Sequence, residues 1–175
     1  MPKIINNIKD TLLSQGKKIL LNNGYSKLNI REVTKESGVA TGTFYNYFKS
    51  KEDLAINIFR EDWNKILKSV SSIELSPIPL KDKLETVHLY IDEFLSSYIP
   101  IFFEMNAKHY GCRKESIMDP LYNVVEKILE FHRNKDEISN PLSNSKLSQL
   151  IINNLITISR THYITFNEFF ISLNL

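Results

Sequence analysis

Hydrophobic residues recur every three to four positions along nearly the whole chain, which is the spacing of one face of an α-helix. The alternation of valine and threonine with polar residues that is typical of strands is absent. Glycine is scarce, with 5 residues in 175, so few positions favour a break in a helix. The pattern therefore predicts an all-α protein.

Turn signals divide the first part of the chain into four predicted helices. Gly24 ends the first, and Gly38 supplies the left-handed backbone angle that separates the next two. The sequence from Ser50 to Asp53 resembles a capping box, which favours a helix start there. The predicted helices cover about residues 2–22, 29–37 and 41–48, and the fourth begins near residue 50.

Prolines separate this part from the helices that follow. Pro77 and Pro79 each remove a helical hydrogen bond and mark the best internal boundary. Beyond them the spacing predicts a helix over residues 80–99, which Pro100 interrupts or kinks, and a continuation to residue 110. Two further helices are predicted over residues 120–134 and 143–170, the second as one long helix.

The second short helix has a face suited to DNA. Phe44 and Phe48 are four residues apart and predict one buried face. The opposite face offers hydroxyls, an amide, two phenols and neighbouring lysines, which can bind phosphate oxygens, while Asn46 can bind a base edge. These features indicate a helix-turn-helix whose second helix enters the major groove. The predicted face comprises Thr41, Gly42, Thr43, Tyr45, Asn46, Tyr47, Lys49 and Lys51.

A dense series of motifs surrounds this face in order along the chain: Gly24-Tyr25, Ile30-Arg31-Glu32-Val33, Ser37-Gly38-Val39, Gly42-Thr43-Phe44-Tyr45-Asn46-Tyr47-Phe48 and Ser50-Lys51-Glu52-Asp53-Leu54. With these motifs the chain resembles the amino-terminal domain of TetR-family repressors over about residues 10–55. Ala40 replaces the serine that usually caps the recognition helix in that family, so we expect Thr41 to supply the cap. Asn29 replaces a common threonine and can cap equally well. Asn29 and Arg31 are also predicted to contact DNA.

The charge distribution agrees with a DNA-binding amino-terminal part. Residues 1–54 hold 9 Lys and Arg against 5 Asp and Glu, whereas residues 55–175 hold 13 against 15. No stretch approaches the roughly 18 apolar residues of a membrane span, and the first ten residues lack an apolar signal core. Cys112 is the only cysteine. We therefore expect a cytoplasmic protein without an intrachain disulfide or a membrane contact.

The resemblance implies a three-helix DNA-binding domain at residues 1–54, joined by the fourth helix to a helical effector-binding and dimerisation domain at residues 55–175. An effector pocket needs apolar or aromatic walls and a few polar groups, and we select candidate lining residues by these properties. For each candidate the alternative is that it only packs in the core. Arg113 and Glu104 are candidates to orient a polar end of the ligand. The lining candidates are Trp63, His88, Phe94, Tyr98, Phe102, Phe103, Met105, His109 and Tyr110.

A homodimer is expected because one helix-turn-helix contacts too few base pairs for selectivity, whereas two related by a two-fold axis recognise a palindromic operator. The helices over residues 120–134 and 143–170 have apolar stripes that predict a four-helix interface. The usual last helix of the family is expected to be merged or reduced. The predicted interface residues are Leu121, Val125, Ile128, Leu147, Ile151, Leu155 and Ile158.

The sequence contains no catalytic motif, so we expect no enzyme and no cofactor. His109 and Cys112 lie three residues apart but have no second pair nearby, which argues against a metal site. The predicted function is a sequence-specific transcriptional regulator, a repressor released from its operator by a small apolar or aromatic effector. The alternative is a TetR-like DNA-binding protein whose helical body docks a protein partner. An exposed aromatic patch on residues 80–110 would favour that alternative.

Overall fold

Helices account for all the regular secondary structure in residues 7–105 and 118–175, the residues that the computed structural model describes. The all-α prediction is confirmed for this part of the chain. None of these helices is long and apolar enough to cross a membrane. The helices are α1 Ile8–Asn23, α2 Ile30–Glu36, α3 Thr41–Phe44, α4 Lys51–Ile73, α5 Leu80–Glu104, α6 Asp119–Arg133, α7 Asn144–Thr161 and α8 Phe166–Ser172.

The chain divides into two compact units. The first unit comprises Met1–Trp63 and Ser97–Tyr110, as far as these are described, and the second comprises Asn64–Ser96 and Gly111–Leu175. Both α4 and α5 contribute one part to each unit. The domain boundary at residue 54 stays a prediction.

In the first unit, α1 and the beginning of α4 approach each other at Gly16. A Cβ atom built on Gly16 would lie 2.8 Å from Leu54 Cδ2 and 3.2 Å from Ile58 Cδ1, so any larger side chain would displace one of them. The last turns of α5 complete this core: the Phe59 ring packs edge-on against Tyr98, with ring centroids 5.4 Å apart. The first unit therefore includes the carboxyl end of α5 in its core.

In the second unit, α6 and α7 pack against each other and bury their apolar faces. The Lys83 side chain is also buried, and its ammonium donates a hydrogen bond to the Glu74 carbonyl at 2.9 Å, just after the end of α4. Burial, followed by repulsion from Lys135, lowers the Lys83 pKa. Lys83 thus satisfies a carbonyl that the end of α4 leaves unpaired.

Helix continuity differs from the prediction at one place. Pro100 does not interrupt its helix, since α5 continues through this exposed residue to Glu104, and a kink at Pro100 stays a prediction. The predicted helix over residues 143–170 is two helices, because His162 adopts a left-handed conformation with φ 50° and ends α7. A capping box between Thr165 and Glu168 then begins α8. The sequence contains this capping signal, but the apolar periodicity continues past it and predicted one helix.

Candidate nucleic-acid interface

The turn between α2 and α3 has the conformation that the sequence predicts. Asn29 caps α2, since its side-chain oxygen accepts a hydrogen bond from the Arg31 amide at 2.9 Å. Gly38 has φ 67°, the left-handed region that favours glycine. The amide of Val39 then donates to the Thr34 carbonyl at 3.0 Å. These local bonds fix the direction in which the chain enters α3.

The helix α3 is shorter than the predicted residues 41–48. It ends at Phe44, and the Asn46 and Tyr47 amides donate to carbonyls three residues earlier, which continues the chain as tight turns. Phe44 and Phe48 are nonetheless both buried, with ring centroids 5.6 Å apart. The predicted burial of this pair is confirmed, and it fixes which side of residues 41–48 faces outward. We call residues 41–48 the recognition segment.

The predicted cap of the recognition segment is absent. Ala40 occupies the N-cap position and offers no side-chain hydrogen bond, and Thr41 does not replace it. The Thr41 hydroxyl lies one position inside the helix, 3.4 Å from the hydroxyl of Thr34 on α2. The expectation that Thr41 caps α3 was therefore wrong, because a residue already inside the helix cannot take the N-cap geometry.

The outward side of the recognition segment is polar and accessible. Tyr45 is 58% exposed and Tyr47 41% exposed, while Thr41, Gly42 and Asn46 are also exposed. Thr43 is half-buried. A Cβ atom on Gly42 would meet no protein atom within 4 Å, so a partner can approach the backbone closely at this position. Among the other predicted contacts, Asn29, Arg31 and Lys49 are exposed.

Lys51 is half-buried, because its side chain lies over Tyr25 of the turn between α1 and α2. The ammonium is 4.3 Å from the Tyr25 ring centroid and 3.5 Å from the Tyr25 carbonyl oxygen. The Tyr25 hydroxyl donates a hydrogen bond to Glu52 Oε1 at 2.5 Å. This hydrogen bond is the main reason why the Glu52 pKa is lowered. The sequence motif includes Tyr25 and Glu52, but their role in positioning Lys51 was not predicted.

The start of α4 also fixes the chain beside the recognition segment. Ser50 accepts a hydrogen bond from the Asp53 amide at 3.2 Å, as expected of a capping box. The Asp53 carboxylate, however, accepts from the Lys49 amide at 2.8 Å rather than from Ser50. Lys49 and Lys51 are therefore held at the end of the recognition segment, where two cations favour phosphate binding.

The described effector-lining candidates fall in both units. Trp63, Tyr98 and Phe102 belong to the first unit, with the first two buried and Phe102 half-buried. His88 and Phe94 belong to the second unit, where His88 stacks on the Phe166 ring with centroids 5.5 Å apart. Burial lowers the His88 pKa.

The remaining lining candidates have different surroundings. Phe103 is 79% exposed, which contradicts its assignment to a buried lining, because it lies on the solvent side of α5. Met105 is half-buried. Glu104 accepts a hydrogen bond from the Ser26 amide and is therefore engaged with the turn between α1 and α2. His109, Tyr110, Cys112 and Arg113 lie outside the described residues.

The predicted dimer residues are buried within a single protomer. Leu121, Val125, Ile128, Leu147, Ile151 and Leu155 have no exposed surface, and Ile158 is 2% exposed. They belong to α6 and α7 and are buried by their own chain, so they offer no surface to a second copy. This prediction was wrong because periodicity identifies the buried face of a helix but not the partner that buries it.

Comparison with known proteins places this geometry in a family. The family model of the bacterial regulatory proteins of the tetR family matches residues 12–58. A fatty acid metabolism regulator protein of Bacillus subtilis is 33% identical over 69 residues, which are 39% of this chain and 36% of that relative. The family-model match coincides with the helix-turn-helix.

The structural likeness extends over most of the chain. The fatty acid degradation regulator FadR from Bacillus halodurans has a TM-score of 0.65 at 17% identity, covering 98% of this chain and 95% of that one. FadR from Bacillus subtilis in complex with stearoyl-CoA has a TM-score of 0.60 at 19% identity, covering 94% of each. The buried pair behind an exposed polar recognition segment and the family-model match over residues 12–58 identify the helix-turn-helix as that of the tetR family of bacterial regulatory proteins. The solved structures show that the chain also shares their fold.

Proposed function

We propose that this protein is a homodimeric repressor that binds a palindromic operator in the cytoplasm and is released from it by an apolar, long-chain effector. The observation that supports the proposal best is the recognition segment, whose buried Phe44 and Phe48 leave a polar face toward solvent. In this proposal the two segments of a dimer enter successive major grooves.

The proposed contacts divide by chemistry. Thr41, Thr43 and Asn46 lie on the recognition segment and determine which bases are bound, with Asn46 as a donor and acceptor for one base edge. Lys49 and Lys51 bind phosphates at its end, where Tyr45 and Tyr47 add hydroxyl donors. Asn29 and Arg31 begin α2 and complete the contacts to the DNA backbone.

A dimer requires a surface other than the one that the sequence predicted. The outward face of α7 is the best candidate, because it has no charged residue between Lys146 and Arg160. Leu150 on that face is 41% exposed, and Asn153 and Thr157 follow it at helical spacing. Asn153 also accepts a hydrogen bond from Tyr122 of α6 at 2.8 Å, so both helices contribute to the proposed face.

The proposed effector is a molecule with a long acyl chain. A relative that is 33% identical over 69 residues is a fatty acid metabolism regulator protein, and the FadR structure from Bacillus subtilis is a complex with stearoyl-CoA. In the first unit the Phe59 ring packs against Tyr98 and Phe102, and Trp63 is buried. Aromatic side chains of this kind favour an apolar ligand. An effector releases DNA only if it binds the DNA-incompetent state more tightly.

One observation favours the alternative, in which the helical body docks a protein. Phe103, on the part of α5 that belongs to the first unit, is 79% exposed. Large exposed apolar side chains are typical of surfaces that bind partners. The two functions make different predictions for ligands and for substitutions at Phe103.

Selection of DNA by the purified protein tests the proposal. Duplexes that the protein enriches from a randomised pool should share a palindrome, and stearoyl-CoA should release the protein from them. Stearoyl-CoA should also raise the thermal midpoint, because a ligand that binds only the folded state stabilises it. Enrichment of a palindrome without any effect of acyl-CoA would favour the protein-docking alternative. Failure to enrich any sequence would contradict both.

A further inference from the structure

The turn between α1 and α2 is held by a residue 78 positions away in the sequence. Glu104, at the end of α5, accepts a hydrogen bond from the Ser26 backbone amide through Oε2 at 2.7 Å. A bond between an amide and a carboxylate is stronger than one between two neutral groups. Because Ser26 contributes its backbone rather than its side chain, the bond fixes the path of the turn itself.

Gly24 permits this close approach. A Cβ atom at position 24 would lie 2.6 Å from Glu104 Oε1 and 3.1 Å from Oε2, both shorter than a van der Waals contact. Gly24 also has φ 81°, which favours glycine, and its amide closes α1 by donating to the Leu20 carbonyl at 3.0 Å. The carboxylate therefore lies directly against the backbone of the turn.

Tyr25, which lies between Gly24 and Ser26, contacts Lys51, the residue that we propose binds a DNA phosphate. Tyr25 is buried, with its ring under the Lys51 ammonium and its hydroxyl bonded to Glu52. Lys51 and Glu52 are the first residues of α4, which begins after Lys49 and Ser50 at the end of the recognition segment. A shift of the turn would move the Tyr25 ring and the Lys51 ammonium above it.

We propose that Glu104 is a positioning residue for DNA binding, which sets the location of the Lys51 ammonium through the turn and Tyr25. The inference rests on the proposed DNA-binding function and adds a residue that touches no DNA. The Glu104 carboxylate is negative and repels DNA phosphates, so its charge alone should weaken DNA binding. Removing Glu104 should nevertheless weaken binding, because the loss of position outweighs the loss of repulsion.

The test compares four proteins on a duplex that the wild-type chain selects from a randomised pool. Glu104→Ala removes the acceptor and should weaken binding about tenfold. The dependence of affinity on salt should fall by about one unit of slope, because one phosphate contact is lost. Glu104→Gln keeps an oxygen acceptor without the charge and should bind within about twofold of wild type. Glu93→Ala removes another exposed carboxylate from α5 and is the matched control.

A second comparison shows whether Glu104 acts through Lys51. In a Lys51→Ala background, Glu104→Ala should cause no further loss of affinity, because coupled residues are not additive. Hydrogen exchange at the Ser26 amide should also be faster in Glu104→Ala. A protein in which Glu104 only supports folding would show a lower thermal midpoint with an unchanged salt slope.

The inference is overturned if Glu104→Ala binds as wild type with the same salt slope, or if Glu104→Gln loses as much affinity as Glu104→Ala. Should Glu104→Ala unfold at the assay temperature, Glu104→Asp replaces it, since the shorter side chain keeps the charge but cannot reach the amide. Failure of the wild-type chain to select any duplex would instead contradict the proposed function itself.

Discussion

The Tyr98 hydroxyl donates a hydrogen bond to Asp62 Oδ2 at 2.6 Å, and the same oxygen lies 2.7 Å from the Lys17 ammonium. Asp62 of α4 thereby links α1 and the carboxyl end of α5 within the first unit. Burial first, and then the bond to Asp62, strongly raise the Tyr98 pKa. Tyr98 therefore remains a neutral donor at every physiological pH.

Tyr98→Phe should destabilise the protein by about 1 kcal/mol, because it removes one hydrogen bond while Lys17 still pairs with Asp62. Chemical denaturation with circular dichroism measures this difference. Tyr90→Phe is the matched control: it removes the hydroxyl of a half-buried tyrosine on the same helix, and it should change stability by less than about 0.5 kcal/mol. Equal effects of the two substitutions would show that the Tyr98–Asp62 bond has no special contribution.

Two glycines should respond to alanine in opposite ways. Gly16→Ala should destabilise the fold by about 1–3 kcal/mol, because its Cβ would overlap Leu54. Gly42→Ala should leave stability unchanged or raise it by up to about 1 kcal/mol, since its Cβ meets nothing. Gly42→Ala should nonetheless weaken binding to the selected duplex, because the methyl group occupies space that DNA requires. Unchanged affinity in Gly42→Ala would exclude a close approach of DNA at this position.

Alanine substitutions at Lys51 and Asn46 should weaken DNA binding in different ways. Lys51→Ala should weaken binding to all duplexes alike and lower the salt slope by about one. Asn46→Ala should cost about 1–3 kcal/mol on the selected duplex and little on random DNA. Fluorescence anisotropy at several salt concentrations measures both. A change of base preference in Lys51→Ala with an unchanged salt slope would contradict this division.

The sequence predicts the helix-turn-helix well because local bonds determine it. Gly38 requires a left-handed angle, Asn29 caps its own helix, and the spacing of Phe44 and Phe48 defines one buried face. Each of these depends on residues within one or two turns. The end of α3 at Phe44 was missed, because tight turns beyond it bury Phe48 as a longer helix would.

Contacts between distant segments could not be predicted in this way. Nothing local in the sequence indicates that Glu104 contacts Ser26, or that Tyr98 contacts Asp62. The same reason explains the error at Ile151, whose apolar stripe predicts burial but not whether the partner is α6 or a second protomer. The exposure of a side chain in the folded protomer shows whether its own chain already buries it or a second protomer could do so.

The dimer proposal is tested by charges at two adjacent positions of α7. Leu150→Glu places a carboxylate on the exposed face and should give a folded monomer that loses affinity for a palindromic duplex. Ile151→Glu places it in the core and should unfold the protein, because a buried unpaired charge is strongly destabilising. Analytical ultracentrifugation and circular dichroism distinguish the outcomes. A Leu150→Glu dimer as stable as wild type would place the interface elsewhere.

The effector proposal makes a matched prediction for the adjacent residues Phe102 and Phe103. Phe102 is half-buried, and its ring centroid lies 4.9 Å from that of Phe59, whereas Phe103 is exposed. Trp63 is the only tryptophan and is buried in the same unit, so its fluorescence reports changes there. Stearoyl-CoA should release the selected duplex and perturb the Trp63 emission at the same concentration.

Phe102→Ala should weaken both effects of stearoyl-CoA together, because it removes an apolar contact from the proposed site, and Phe103→Ala should weaken neither. Titration of each variant with stearoyl-CoA, followed by fluorescence and by DNA anisotropy, gives the two affinities. Coenzyme A without an acyl chain is the ligand control and should leave both signals unchanged, since an apolar site gains its free energy from the buried chain. Release of DNA without a change at Trp63, and without sensitivity to Phe102, would place the effector site elsewhere in the protein.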